Sequence, residues 1–396
     1  MGERTACVTG PEAAGMFYGS GHLTRKGALP KPILWLLQDE GSVTVLDGMP
    51  HAARKAMFLS LMTPPRLQRF DELFAEEWQR AVNAWKQKDA IVLDDAVRTV
   101  VCRTACRWAG VPLDGDAEAE RRGADMMAMF DGAGAIGRRR LLAWQARRRT
   151  EAWLGGLARD VRAGDLTVDP QSAFAVVAAH RDHDGTPLSN EIVMTEMVNL
   201  IRPTVAVARY ITFAALALHA NPAERRLLRR ATPRPSVDPA ALAPETAVDD
   251  AADPVWRFVQ EVRRTAPFFP LLGGRATEPL TWHGHQFRQG QRVLIDLYGT
   301  NHDPVAWPEP DRFDPDRFLG WQGDANRLIP QGAGDHASDH RCPGEWLTIA
   351  TMKTAIRSLA TEIDYAVASQ DLELSMRRIP TRPTTGLVIR AVRDAD

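Results

Sequence analysis

The sequence predicts a predominantly helical chain carrying a few small strand clusters. Apolar residues recur at helical spacing over long stretches. The longest stretch runs from 191 to 219 through Ile192, Met197, Leu200, Ile201, Val205, Ala208, Ile211, Phe213 and Leu216. Strand signals are short and crowd around the turns at His283-Gly284 and Gln289-Gly290. With 396 residues and 44% apolar content there is enough material for a large core, and no internal repeat points to a solenoid.

Taken in order, Ala6-Cys7-Val8-Thr9 reads as a short strand and Pro11 to Tyr18 as a short helix. The segment from Gly41 to Gly48 precedes a helix starting at His51 and running through Leu61. Residues 66 to 88 and 94 to 110 read as helices, with Trp78, Val82 and Trp85, then Val97, Val100, Val101 and Ala105, on apolar faces. A long helix ending near Arg162 carries Arg138 to Arg140 and Arg147 to Arg149. Runs of like charge are ordinarily a solvated face, a redox-partner patch being the sharper alternative.

Inside the 191–219 stripe stands Arg202-Pro203. A proline inside a helix removes a hydrogen bond at ~3 kcal/mol or more. An arginine among apolar residues has to find an anion, which a structural ion pair supplies as readily as a ligand. Thr232 to Asp253, rich in Pro, Ala, Thr and Asp, reads as a mobile surface connection. Val255 to Thr265 is a helix bearing Glu261 and Arg264. Strands are expected at Pro279 to Trp282, Gln286 to Arg288 and Arg292 to Asp296, and again between 364 and 396 on either side of Pro380 to Pro383.

The 49 basic and 50 acidic residues balance to a net charge of −1, which gives no footing for a nucleic-acid partner. Four cysteines (Cys7, Cys102, Cys106 and Cys342) are too few and too scattered for a disulfide framework. Cys102 and Cys106, one helical turn apart, read as core residues. There is neither an 18-residue apolar run nor a signal-peptide opening, so a soluble cytoplasmic protein with no membrane partner is expected.

Chemistry concentrates in Gln331-Gly332-Ala333-Gly334-Asp335-His336 and the following His340-Arg341-Cys342-Pro343-Gly344-Glu345-Trp346. The glycines and proline hold this backbone irregular until a helical pattern begins at Leu347 and continues to Thr361. Cys342 thus feeds a helix N-terminus, where partial positive charge and free N–H groups are expected to lower a thiol's pKa. Three readings fit: a small buried residue, a nucleophile paired with His340, or a thiolate ligand for haem iron.

The motifs around this stretch favour the last of these. His340-Arg341-Cys342-Pro343-Gly344 resembles the axial-cysteine loop of the cytochrome P-450 superfamily. Glu261-Val262-Arg263-Arg264 resembles its Glu-x-x-Arg pair, and Pro315-Asp316-Arg317-Phe318 its Pro-Glu-Arg-Phe segment, in the same order and spacing. The longer Gln-Gly-x-Gly-Asp-His form of the loop, Arg202-Pro203, and Tyr298-Gly299-Thr300-Asn301-His302-Asp303-Pro304 resemble the branch of bacterial fatty-acid peroxygenases and alkene-forming decarboxylases.

The resemblance implies one cytochrome P-450 domain over residues 1–396, starting later than the family's usual N-terminal helix and strands. It implies haem b with Cys342 as axial ligand to iron. Arg25, His51, Lys55, Tyr298 and His340 become candidates for holding the cofactor, chiefly its propionates. Glu261, Arg264 and Arg317 become a buried bracing cluster.

Hydrogen peroxide is the implied oxidant, with no obligatory redox partner. Arg202 is implied to hold a substrate carboxylate that takes over the proton relay absent from the Arg202-Pro203 segment. Gln38 and Thr44 line the substrate side, where relatives carry an aromatic residue and a His or Gln. Hydroxylation at the α or β carbon is expected to prevail over decarboxylation to an alkene, because Thr44 does not titrate near neutral pH. The competing readings are a reductase-driven monooxygenase acting on a short or aromatic acid, and a haem sensor without turnover.

Overall fold

A computed structural model describes residues 3–231, 251–376 and 379–395. The helix Asn190–Ala220, here α9, runs through the centre. A helix apolar on every side has no face to offer water, so it is covered along nearly all of its length. Its composition is that of a membrane span, but here it is packed inside protein. Around it lie α5 (Leu93–Ala109), α6 (Gly115–Asp131), α7 (Arg138–Ala163), α11 (Pro254–Thr265) and α13 (Glu345–Arg357). The other helices are α1 (Pro11–Gly19), α2 (Lys31–Leu37), α3 (Gly48–Ser60), α4 (Pro64–Trp85), α8 (Ala173–Ala179), α10 (Pro222–Arg230) and α12 (Leu297–Asn301). Cys102 and Cys106 are fully buried core residues, as expected.

Among the described residues the strands form three small sheets. In the largest, β1 (Thr5–Val8), β7 (Arg292–Asp296), β4 (Leu271–Ala276) and β2 (Leu23–Thr24) lie side by side in that order, β1 parallel to β7 and the other pairs antiparallel. A second apolar cluster, with Phe17, Val293 and Ile295, packs on this sheet and takes in Ile329 and Ala333 from the segment leading to Cys342. The cysteine loop is thereby seated on the sheet at one end and on α13 at the other. The remaining strands are β3 (Ala90–Val92), β5 (Leu280–Trp282), β6 (His285–Phe287), β8 (Ile363–Val367) and β9 (Val388–Asp394).

The anticipated ion-pair cluster forms. Arg264 binds both oxygens of Glu261 at 2.7 Å and donates to the carbonyls of Asn301 and Pro310, while Arg317 Nε lies 3.4 Å from Glu261 Oε1. Two sequence expectations need correction. Residues 232–250 of the anticipated surface connection fall outside the described residues, but its last part is not surface: Ala251 and Asp253 are buried, and Asp253 caps α11 through the Val255 N–H. Nor is 147–149 uniformly solvated. Arg147 is 1% exposed, because successive residues on a helix turn by about 100° and only one of the three faces inward.

Candidate active site

The cysteine loop is held by fixed backbone geometry. Gly332 and Gly334 sit at φ 99° and 79°, and a Cβ on Gly334 would lie 2.3 Å from Asp339 Oδ2, so a side chain there has no room. The Cys342 N–H donates to the Gln331 carbonyl at 3.0 Å, and the Gly344 N–H donates to the sulfur. Gln331, a residue to which the sequence reading gave no role, places its Nε2 3.7 Å from Sγ and accepts from Arg263 at 3.1 Å.

Glu345 opens α13 and is buried, with Arg263 at 2.5 Å and Arg341 at 2.7 Å. Burial alone would raise its pKa, yet the two arginines overcome this and hold it at about 2. The Cys342 thiol runs opposite to expectation: burial pushes it up, against the Gly344 N–H. Burial of the sulfur outweighs the helix end, and the Glu345 carboxylate beside it adds to the rise. Among the described residues no three His, Cys, Asp or Glu side chains converge as a metal cluster. A lone protein thiolate suits haem iron, which brings four nitrogen ligands of its own, and coordination itself deprotonates the sulfur.

Beside the loop, four bases crowd together. The rings of His51 and His340 are 3.9 Å apart, and His51 is pushed to about 3 by burial and then by His340, Lys55 and Arg25. Lys55 is lowered to about 8, by burial first, while donating to the carbonyls of Asp339 and, at 2.7 Å, Arg341. It therefore also ties α3 to the cysteine loop, which sequence gave no means of seeing. Arg25 donates to the Gly273 carbonyl at 2.8 Å and lies over the rings of Phe17 and Tyr18.

Asp47, 3.7 Å from His340, is the only carboxylate in this group to raise the pKa of His51 or His340. Burial and neighbouring positive charge hold the two imidazoles neutral, and a dianion such as a pair of haem propionates would favour their protonation beside Arg25 and Lys55. Tyr298 is not among these residues. It stacks on His302 at 4.0 Å, near Asp311, Arg264 and Asp296, because α12 carries it to the bracing cluster.

The middle of α9 supplies the opposite face. Pro203 is the only exposed residue between Ile192 and Leu218, so the middle of the helix is uncovered there. Arg202 beside it is 8% exposed, donates once, to the Leu37 carbonyl at 2.7 Å, and leaves Nε without a partner. No carboxylate reaches it among the described residues, and burial lowers its pKa to about 9.

The Thr204 hydroxyl is taken by its own helix, donating to the Leu200 carbonyl at 2.7 Å. Thr44 lies in the 3-10 turn Val43–Val45, hydrogen-bonded to Ser42 at 2.7 Å. That turn is fixed to α9 by Glu196, which accepts from the Val43 N–H at 2.8 Å and from Arg54 at 2.6 Å. Gln38 ends α2, half-buried, one residue after the carbonyl that Arg202 binds.

Comparison with known proteins agrees with this arrangement. The family model for cytochrome P-450 matches residues 255–384. Two curated plant proteins match in part: Ferruginol synthase of Salvia miltiorrhiza at 32% identity over 31% of this chain, and Carnosic acid synthase of Rosmarinus officinalis at 30% over 27%. In these matches the chain spans only 26% and 21% of the relative's length. Solved structures match throughout. Cytochrome P450SP alpha (CYP152B1) superposes with a TM-score of 0.91 and 40% identity over 99% of this chain and 91% of its own. Cytochrome P-450 OleT superposes at 0.89 and 32%, over 98% and 89%. On this evidence the chain belongs to the cytochrome P-450 family, in its branch of bacterial fatty-acid peroxygenases.

Proposed function

We propose that the protein is a hydrogen-peroxide-dependent fatty-acid hydroxylase. The observation that carries this reading is Arg202, a buried guanidinium beside the exposed Pro203 of the central helix, without an anion of its own among the described residues. A carboxylate entering there gains charge-assisted hydrogen bonds to a cation already stripped of water. Cytochrome P450SP alpha has been solved with (R)-ibuprophen, and a variant of OleT with arachidonic acid, a long-chain carboxylic acid.

Cys342 would hold haem b, with Arg25, His51, Lys55 and His340 toward its propionates, and the group would supply peroxide-driven oxidation of a C–H bond. The protein's part is to hold acid and protons in place. Arg202 orients the carboxylate so that its α and β carbons lie nearest the cofactor. Pro203 has no N–H, and the Thr204 hydroxyl is already engaged, so neither delivers a proton. The substrate carboxylate takes a proton from one peroxide oxygen and returns it to the other. Acid and peroxide yield hydroxy acid and water in equal amounts. An acid is then substrate and proton relay at once, and no redox partner is needed.

Thr44, tied to Ser42, offers no titrating group beside the substrate, which favours hydroxylation over loss of carbon dioxide. No span or anchor is needed for this chemistry, and the cytoplasm is the proposed location. Incubating the haem-loaded protein with peroxide and carboxylic acids of graded length is expected to give 2- or 3-hydroxy acids without any reductase. Turnover that needs reduced nicotinamide and a reductase, with none from peroxide, would reject the reading.

A further inference from the structure

Arg202 has a companion. Arg147, on α7, is 1% exposed, and its Nη1 has no hydrogen-bond partner. The two arginines meet across one short stretch of chain. Arg202 Nη2 donates to the Leu37 carbonyl at 2.7 Å, and Arg147 Nη2 approaches Asp39 Oδ2 at 3.3 Å. Between them Asp39 stands at φ 81°, a left-handed conformation rare outside glycine, asparagine and aspartate.

Besides burial, Arg147 is the one influence acting on the ionisation of Arg202. The carboxylates paired with Arg147 are Asp39, 33% exposed, and Glu151 at 2.6 Å, 31% exposed. Water screens those two more than it screens the buried guanidinium. Two buried cations near each other, each with an N–H left over, describe a place where an anion is missing. The neighbours of Arg147 do not share this: Arg148 is exposed, and Arg149 is satisfied by Asp125.

We propose that Arg147 is a positioning residue for the fatty-acid carboxylate, supplying the second positive charge under which the acid settles on Arg202, with Asp39 setting how much of that charge is felt. This rests on the reading of Arg202 as the carboxylate anchor. It assigns to Arg147 and Asp39 the preference for an ionised head group over a neutral one of equal length.

The test is calorimetric titration of the haem-loaded protein with dodecanoic acid and with dodecanol, for wild type, Arg147→Gln, Asp39→Asn and Arg202→Leu. Arg147→Gln is expected to weaken acid binding on the order of tenfold with alcohol binding unchanged. Asp39→Asn, which keeps a side chain tolerant of left-handed backbone, is expected to tighten acid binding severalfold. A purely structural role for the pair would not give opposite signs. An unchanged acid-to-alcohol ratio in Arg147→Gln, or movement of both variants in the same direction, would overturn the proposal. Should Arg147→Gln fail to fold, absence of tightening in Asp39→Asn overturns it alone. Acid affinity surviving in Arg202→Leu would instead refute the anchor reading beneath it.

Discussion

Helix α9 carries two buried arginines seven residues apart, and they could hardly be treated more differently. Arg209 is fully buried and fully answered: Nε meets Asp94 at 3.1 Å, Nη2 meets Asp131 at 3.1 Å, and Nη1 donates to the Thr381 carbonyl at 2.9 Å. Arg202, two turns earlier, has one carbonyl and an idle Nε. A buried cation with its partners in place joins elements together, here α9 to α5 and α6. A buried cation without them is costly to the fold and persists where something outside the chain completes it. The cysteine loop repeats the first pattern, with Glu345, Arg263, Arg341 and Gln331 interlocked. The basic group around His51 repeats the second.

Substitution sharpens the contrast. Arg202→Leu is expected to lower kcat/KM for fatty acids by on the order of a thousandfold, the loss of two charge-assisted hydrogen bonds at roughly 2 kcal/mol each. Its Tm should hold or rise, since an unpaired buried charge is removed. Arg209→Leu should do the reverse. Removing the guanidinium that joins Asp94 to Asp131, which leaves them Arg382 at 3.8 and 3.5 Å, costs about 3 kcal/mol in denaturant unfolding, while folded protein binds acids as wild type does. Equal stability losses in both variants would erase the distinction.

Glu345 gives the same lesson through pH. Its folded value of about 2 lies below the ordinary 4.5, so its contribution is complete above pH 4.5 and disappears as pH falls toward 2. Denaturant unfolding across that window should show ~3 kcal/mol less acid sensitivity in Glu345→Gln than in wild type. The smallest effect belongs to Thr44→His. Placing a titrating ring where the hydroxyl now meets Ser42 is expected to raise the alkene-to-hydroxy-acid ratio a few-fold, read by gas chromatography of the products.

Much of this was legible in the sequence because it lay in local pattern. The all-round apolar stripe of α9, the glycine-bound cysteine loop and the spacing of Glu261 to Arg264 each announce themselves within a few residues. Strand Leu271–Ala276 did not, since its two glycines break the alternation a strand normally shows. A Cβ on Gly274 would lie 3.1 Å from the Phe17 ring, a demand that comes from tertiary packing. Arg147 was hidden by its neighbours, because three arginines in a row look alike until the helix turns one inward. The raised Cys342 thiol follows first from its own burial, which local pattern does not show, and the partners of Lys55 lie more than 280 residues away. Tyr298 was placed by motif position, and only the path of α12 shows its ring against His302.

The claim at the centre is that Arg202 waits for a carboxylate that also carries the proton. It is tested most directly by peroxide-driven turnover of Arg202→Leu and wild type on a non-acid substrate, with and without added short-chain free acid. Wild type is expected to turn over only when the free acid is present, and Arg202→Leu in neither condition. Peroxide turnover by wild type without any acid, or an equal response to the acid in the variant, would contradict it.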